Sequence, residues 1–197
     1  MEQTPLSVLD INGGYSRQFT AISRYYKNFY QDLERSGVDL YRMTRLGAWA
    51  TSRAPHVFFF FKTIGLGSCR LFLDLGSGDG IVSCIAGLFT RSIGIEIDWD
   101  LCSIARNASS DLGLDGRVSF ICGDFLDHHI DQADCLYLYP DKPFDRLGGK
   151  LVSWKGTILA YGPHLPPRNF QPMRTLRCGK EQMVVYREFS SSHLSKR

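Results

Sequence analysis

The chain has 197 residues, 44% of them hydrophobic, with a formal net charge of +3. That length and apolar content exclude a disordered or low-complexity polypeptide and suit one globular domain with a full core. The longest aromatic run, residues 58–61, stops at Lys62 and is too short for a membrane span. The opening Met1-Glu2-Gln3-Thr4-Pro5 is polar, which leads us to expect a cytoplasmic protein with no membrane partner.

Apolar residues at 15, 19, 22, 26, 29, 30 and 33 repeat with a helical period, and Tyr25, Tyr26 and Tyr30 make that helix aromatic. Gly37 and Gly47 punctuate the next stretch of chain. A second helix is predicted to start near Ser52 or Pro55, with proline in its first turn, and to cover residues 57–64. An apolar strand at 71–75 then carries Asp74 and runs into Gly76-Ser77-Gly78-Asp79-Gly80. Such an abrupt strand-to-helix turn needs unusual backbone angles, which glycine permits, and the missing Cβ lets a ligand approach the main chain.

The loop is not the G-x-G-x-x-G turn that binds a pyrophosphate, because its third glycine follows after one residue. Asp74 and Asp79 would repel a pyrophosphate but suit a ligand with a positive amine. The second strand, 92–98, carries Glu96 and Ile97. An ionised Glu96 carboxylate is acceptor-only and suits paired ribose hydroxyls. Asp98 is placed to cap the next helix, with Leu101, Ile104, Ala105, Ala108 and Leu112 on one face. The third strand, 117–122, leads to Gly123-Asp124-Phe125, and the fourth, 135–139, ends at Tyr139-Pro140-Asp141. A brief helix at 144–151, a fifth strand at 157–161, a proline-rich crossing and strands at 173–178 and 182–189 around Gly179-Lys180 complete the chain.

Strands alternating with helices predict an α/β fold with a doubly wound, mostly parallel seven-stranded sheet, an antiparallel C-terminal hairpin and an N-terminal helical extension. The expected divisions are a cap or lid at 1–53, a core domain at 54–189 and a frayed tail at 190–197.

The run Asp74-x-Gly76-x-Gly78-x-Gly80 resembles motif I of the class I S-adenosylmethionine-dependent methyltransferases, and the seventh strand entering antiparallel agrees with that family. The resemblance implies an enzyme whose cofactor, S-adenosyl-L-methionine, is held by Asp74, Gly76, Ser77, Gly78, Asp79, Gly80, Glu96, Ile97, Gly123, Asp124, Phe125 and Tyr139. Asp124 would recognise the adenine amino group and Phe125 would pack on the ring. Trp49 and Thr51 would close over the methionine end, while simple packing is an equal reading of Trp49. The end of the fourth strand lines the transfer pocket in this family, so Tyr139 is the expected channel wall and Asp141 the group that steers or deprotonates the acceptor.

Two patterns bear on the acceptor. Asp141-Lys142-Pro143-Phe144 looks like the D-P-P-F motif of methyltransferases acting on nucleic-acid amino groups or glutamine amides, with Lys142 in place of the first proline. The layout from Asp124 to Phe189 resembles the small seven-β-strand protein lysine methyltransferases, archaeal and mitochondrial types included. A protein substrate is therefore the expected partner and nucleic acid the alternative. A small-molecule methyltransferase and a non-catalytic cofactor-binding module remain further readings, and the oligomeric state is not legible.

Residues 54–140 carry five Lys/Arg against eleven Asp/Glu, whereas 142–197 carry eleven basic residues against Asp145, Glu181 and Glu188. The basic end is either a site for an acidic partner or a solvated surface that offsets the acidic half. Six cysteines without a C-x-x-C pair are expected to be reduced thiols, and no metal site is expected. His56, His128, His129 and His164 are expected on the surface or in loops.

Overall fold

The computed structural model describes residues 16–43, 47–140, 145–162, 165–167 and 169–188. The predicted Asp141-Lys142-Pro143-Phe144 turn, His164, Phe189 and the tail lie outside them. The first helix, α1 (Ser16–Arg35), matches its predicted period: Phe19, Ile22 and Tyr26 are buried. Two short strands come next, β1 (Tyr41–Met43) and β2 (Ala48–Ala50), paired antiparallel. At three residues each, they carry no readable periodicity, and only the glycines flanking them are visible in the sequence. Helix α2 (Ala54–Ile64) has proline in its first turn and ends on left-handed Gly65. Its face buries Val57, Phe58, Phe60 and Phe61, and also His56, which is 4% exposed and so is not the surface residue expected.

The core then alternates β3 (Leu71–Leu75), α3 (Ile81–Ala86), β4 (Arg91–Glu96), α4 (Trp99–Asp111), β5 (Val118–Cys122), β6 (Cys135–Leu138), α5 (Asp145–Lys150), β7 (Thr157–Tyr161), β8 (Phe170–Cys178) and β9 (Glu181–Glu188). Asp98 caps α4 as expected, accepting from the backbone N–H groups of Asp100 and Leu101 at 3.0 and 3.1 Å. The seven strands are ordered β5-β4-β3-β6-β7-β9-β8. The pairs β3–β4, β3–β6, β4–β5 and β6–β7 are parallel. Strand β9 enters antiparallel between β7 and β8. The seven-stranded α/β sheet with its terminal hairpin is therefore as predicted.

Two apolar clusters cover the faces of the sheet. Residues of α1 to α4 pack with Phe72, Tyr137, Leu159 and Tyr161 on one face. On the other, Leu147, Leu151 and Trp154 pack with Leu73, Leu136, Leu138 and Ile158. Burial on both faces is what a parallel sheet requires. One expectation fails here: Cys102 and Cys122 form a disulfide, with Cα atoms 5.8 Å apart. The reason is topological. Register sets Cys122 beside Glu96, and α4 starts three residues after Glu96, so its first turn lies against the end of β5. A separation of 20 residues gives no such hint in sequence. Cys69, Cys84, Cys135 and Cys178 are free, as expected. Among the described residues, no helix is long and apolar enough to cross a membrane, and no group of three His, Cys, Asp or Glu is placed to hold a metal.

Candidate functional site

Parallel strands direct their C-terminal ends to one edge, and the loop after β3 lies there. Its shape is set by tethers to β4. The N–H groups of Gly76 and Ser77 both reach the Ile95 carbonyl, at 2.9 and 3.2 Å. Gly78 N–H donates to Glu96 Oε2 at 2.7 Å, and Asp98 N–H donates to Glu96 Oε1 at 2.9 Å. Glu96 thus holds the glycine loop closed. A carboxylate offers about four acceptor sites, so capacity is left for a further donor.

Gly78 has a left-handed backbone, and an added Cβ would lie 2.9 Å from Cδ1 of Trp49. Trp49, on β2, is buried and roofs the loop, so the short β1–β2 pair acts as a cover. The N–H of neighbouring Thr51 donates to the Leu40 carbonyl and ties the two arms of that cover together. A second glycine, missed by sequence reasoning, lies beneath. A Cβ on Gly94 would collide with Phe120 and with Ser77 Oγ, so β4 must be bare where the loop crosses it. Its only sequence signal is a glycine inside a strand pattern.

Three carboxylates collect here with almost no exposure: Asp74 at 1%, Asp79 at 2% and Glu96 at 7%. Ser83 Oγ donates to Asp74 Oδ2 at 2.8 Å. Tyr30 Oη donates to Asp79 Oδ2 at 2.8 Å, and Tyr26 Oη to the Asp79 carbonyl at 2.9 Å. The aromatic stripe of α1 therefore grips the glycine loop, a contact that helical periodicity alone did not reveal. Burial pushes Asp74 up to about 7, with Ser83 opposing and the charges of Glu96 and Asp79 adding to it. Burial pushes Asp79 up to about 6 against the Tyr30 hydrogen bond. Glu96 is also raised by burial, opposed by the amides of Asp98 and Gly78. A cationic ligand would relieve all three.

These acids bind protons more tightly folded than unfolded, so their contribution to stability is present at low pH and lost as pH rises through about 6 to 7. The ligand-free protein is expected to melt higher at pH 5.5 than at pH 8. The slope is at most about 1.4 kcal/mol per pH unit for each proton. Thermal melts across that window check this, and Asp74→Asn should flatten the curve.

The other expected residues are only partly assembled. Ile97 and Trp99 are exposed just beyond Glu96. Gly123 and Asp124 come directly after β5, and Gly123 N–H donates to the Glu96 carbonyl at 2.9 Å. Asp124 Oδ1 is occupied as the cap of the short turn Phe125–Asp127, accepting from Leu126 N–H at 2.8 Å. Phe125 packs partly against the cluster on the second sheet face. Tyr139 is 53% exposed and stacks on Tyr161, with centroids 5.7 Å apart and planes inclined 26°. Asp141 lies outside the described residues.

No family model matches the sequence, and no curated protein does. Solved structures do match. An RNA methyltransferase from Salinibacter ruber, crystallised with S-adenosyl-L-homocysteine, superposes with a TM-score of 0.62 at 24% identity, over 72% of this chain and 97% of that one. A methyltransferase from Geobacter sulfurreducens gives a TM-score of 0.57 at 17% identity, over 82% and 88% of the two chains. For a putative RNA methyltransferase from Pyrococcus horikoshii the TM-score is 0.54 at 14% identity, over 71% and 86%. With its strand order, glycine loop and antiparallel β9, the chain has the class I methyltransferase fold.

Proposed function

We propose that this chain is a methyltransferase using S-adenosylmethionine and transferring to nitrogen, with a protein lysine side chain as the favoured acceptor. The observation that carries the cofactor reading is the closure of the glycine loop on Glu96 through Gly78 N–H. A loop with left-handed backbone at Gly76, Gly78 and Gly80, ringed by buried carboxylates, fits a nucleoside with a cationic amino-acid end. When bound, the cofactor supplies a sulfonium methyl group open to displacement by a nitrogen lone pair.

In this reading Asp74, Gly76, Ser77, Gly78, Asp79 and Gly80 hold the amino-acid end, under the roof of Trp49 and Thr51. Glu96 takes the ribose hydroxyls with its free lone pairs. Ile97 and Phe125 flank the adenine, and Gly123 and Asp124 meet its amino edge. Tyr139 lines the acceptor's approach, and Asp141 steers it. Residues 54–189 form the catalytic domain with 1–53 as its cap, and the protein works in the cytoplasm. An amine must lose its proton before it can react, so a group beside the channel lined by Tyr139 and Tyr161 must accept that proton. Alignment in that channel, rather than acid–base power, then supplies most of the rate.

RNA is the second reading, favoured because the Salinibacter ruber neighbour is an RNA methyltransferase and the Pyrococcus horikoshii neighbour a putative one. Incubation of the protein with methyl-labelled cofactor and cell lysate, followed by protease or nuclease, separates the two. Label lost to protease supports the lysine reading; label lost to nuclease moves the acceptor to RNA. Absence of both label and S-adenosylhomocysteine binding overturns the proposal.

A further inference from the structure

Strand β9 runs against the other core strands, so its first residue, not its last, lies at the edge that carries the glycine loop. That residue is Glu181. Tyr161, at the end of β7, is opposite Met183, which makes Glu181 its diagonal neighbour on the same sheet face. Tyr161 is buried beneath the exposed Tyr139. Tyr137, two residues before Tyr139, is buried 6.5 Å from Tyr161 and pairs in register with Asp74. A file of phenols therefore runs from the glycine loop to a carboxylate that nothing in the sequence singled out.

We infer that Tyr139, Tyr161 and Glu181 form the acceptor's seat, and that it takes a primary ammonium group. This rests on the methyl-transfer reading and names its substrate class. An ammonium is attracted to the face of an aromatic ring and to a carboxylate at once. Here the two come together at the sheet edge that carries the glycine loop. Electrostatics agree: burial raises the Tyr161 phenol, and Glu181 raises it further, while Arg53 opposes. His56, with Nδ1 buried and unpartnered, is kept towards its neutral form by burial, against the pull of Glu181. Asp74 bears on Tyr137 from the other side. Among the described residues, the charged groups bearing on Tyr161 are Glu181 and, opposing it, Arg53. Glu181 also offers a base: the N–H bond of the ammonium breaks, the proton passes to the carboxylate and on to water, and the lone pair is left on nitrogen.

The test is a titration of n-butylammonium, the head of a lysine side chain, followed by the ring NMR signals of Tyr139 and Tyr161. It is run with and without S-adenosylhomocysteine. Saturable shifts of both rings are expected. Glu181→Gln should weaken the binding at least about tenfold, as for loss of one charge-assisted hydrogen bond, and Glu181→Asp should restore part of it. Calorimetric affinity for S-adenosylhomocysteine should stay unchanged in both variants, which separates this inference from the cofactor reading. Rings that ignore butylammonium, or that respond equally in Glu181→Gln, overturn it. So does a response to adenosine 5′-monophosphate in its place, which would assign the seat to RNA. Failure of S-adenosylhomocysteine to bind the unaltered protein counts against the cofactor reading alone.

Discussion

Replacing Glu96 with alanine is expected to abolish useful cofactor affinity and to loosen the fold measurably. Two buried backbone donors, Gly78 N–H and Asp98 N–H, lose their acceptor at once. Hydrogen bonds to charged groups contribute about 1.5–3 kcal/mol each, and stranded buried amides cost further. Burial of the carboxylate offsets part of that gain, as its raised pKa records. A net destabilisation of about 2 kcal/mol corresponds to roughly 4–8 °C in melting temperature for a domain of this size. On the proposed reading Glu96 also holds the ribose, so affinity for S-adenosylhomocysteine should fall about 100-fold, or roughly 3 kcal/mol. Calorimetry and thermal melts read both. An affinity within threefold of the unaltered protein, on the order of 0.6 kcal/mol, would remove Glu96 from the cofactor site.

Gly78→Arg should be the more drastic change for binding. Its Cβ would start 2.9 Å from the Trp49 indole, on a backbone with φ of +55°. The left-handed conformation alone costs about 1–2 kcal/mol for a residue with a side chain. The chain should still fold, because the sheet and both apolar clusters are untouched. The arginine fills the cradle and binding heat disappears. Trp49 is driven from its buried place, and a red shift in tryptophan emission reports it. Adding Trp49→Ala should recover melting temperature but not binding. Recovery of binding in the double variant would show that the cradle, though crowded, is not where the ligand sits.

The glycine loop and the carboxylate that closes it were legible in the sequence because their pattern is local. Asp74, the three glycines of the loop and Glu96 fall within 23 positions, and their strand-loop-strand context comes from alternating apolar runs. The Asp98 cap was legible for the same reason. What escaped was assembled across the chain. Tyr30 and Asp79 are 49 positions apart, and Glu181 meets Tyr161 only because β9 inserts antiparallel. The Cys102–Cys122 bridge and the burial of His56 likewise depend on how a helix seats against the sheet. The roof over Gly78 comes from strands too short to show a pattern. Acceptor choice was least legible, since it rests on such long-range meetings.

The grip of Tyr26 and Tyr30 on Asp79 has a consequence for how the protein is made. A helix near the beginning of the chain emerges from the ribosome well before the turn it must hold. The glycine loop of the growing polypeptide therefore lacks these two hydrogen bonds until contacts spanning 49 and 53 positions have closed. By the same logic, a recombinant fragment started at residue 54 would contain every strand of the seven-stranded sheet but lack the helix that clasps that turn.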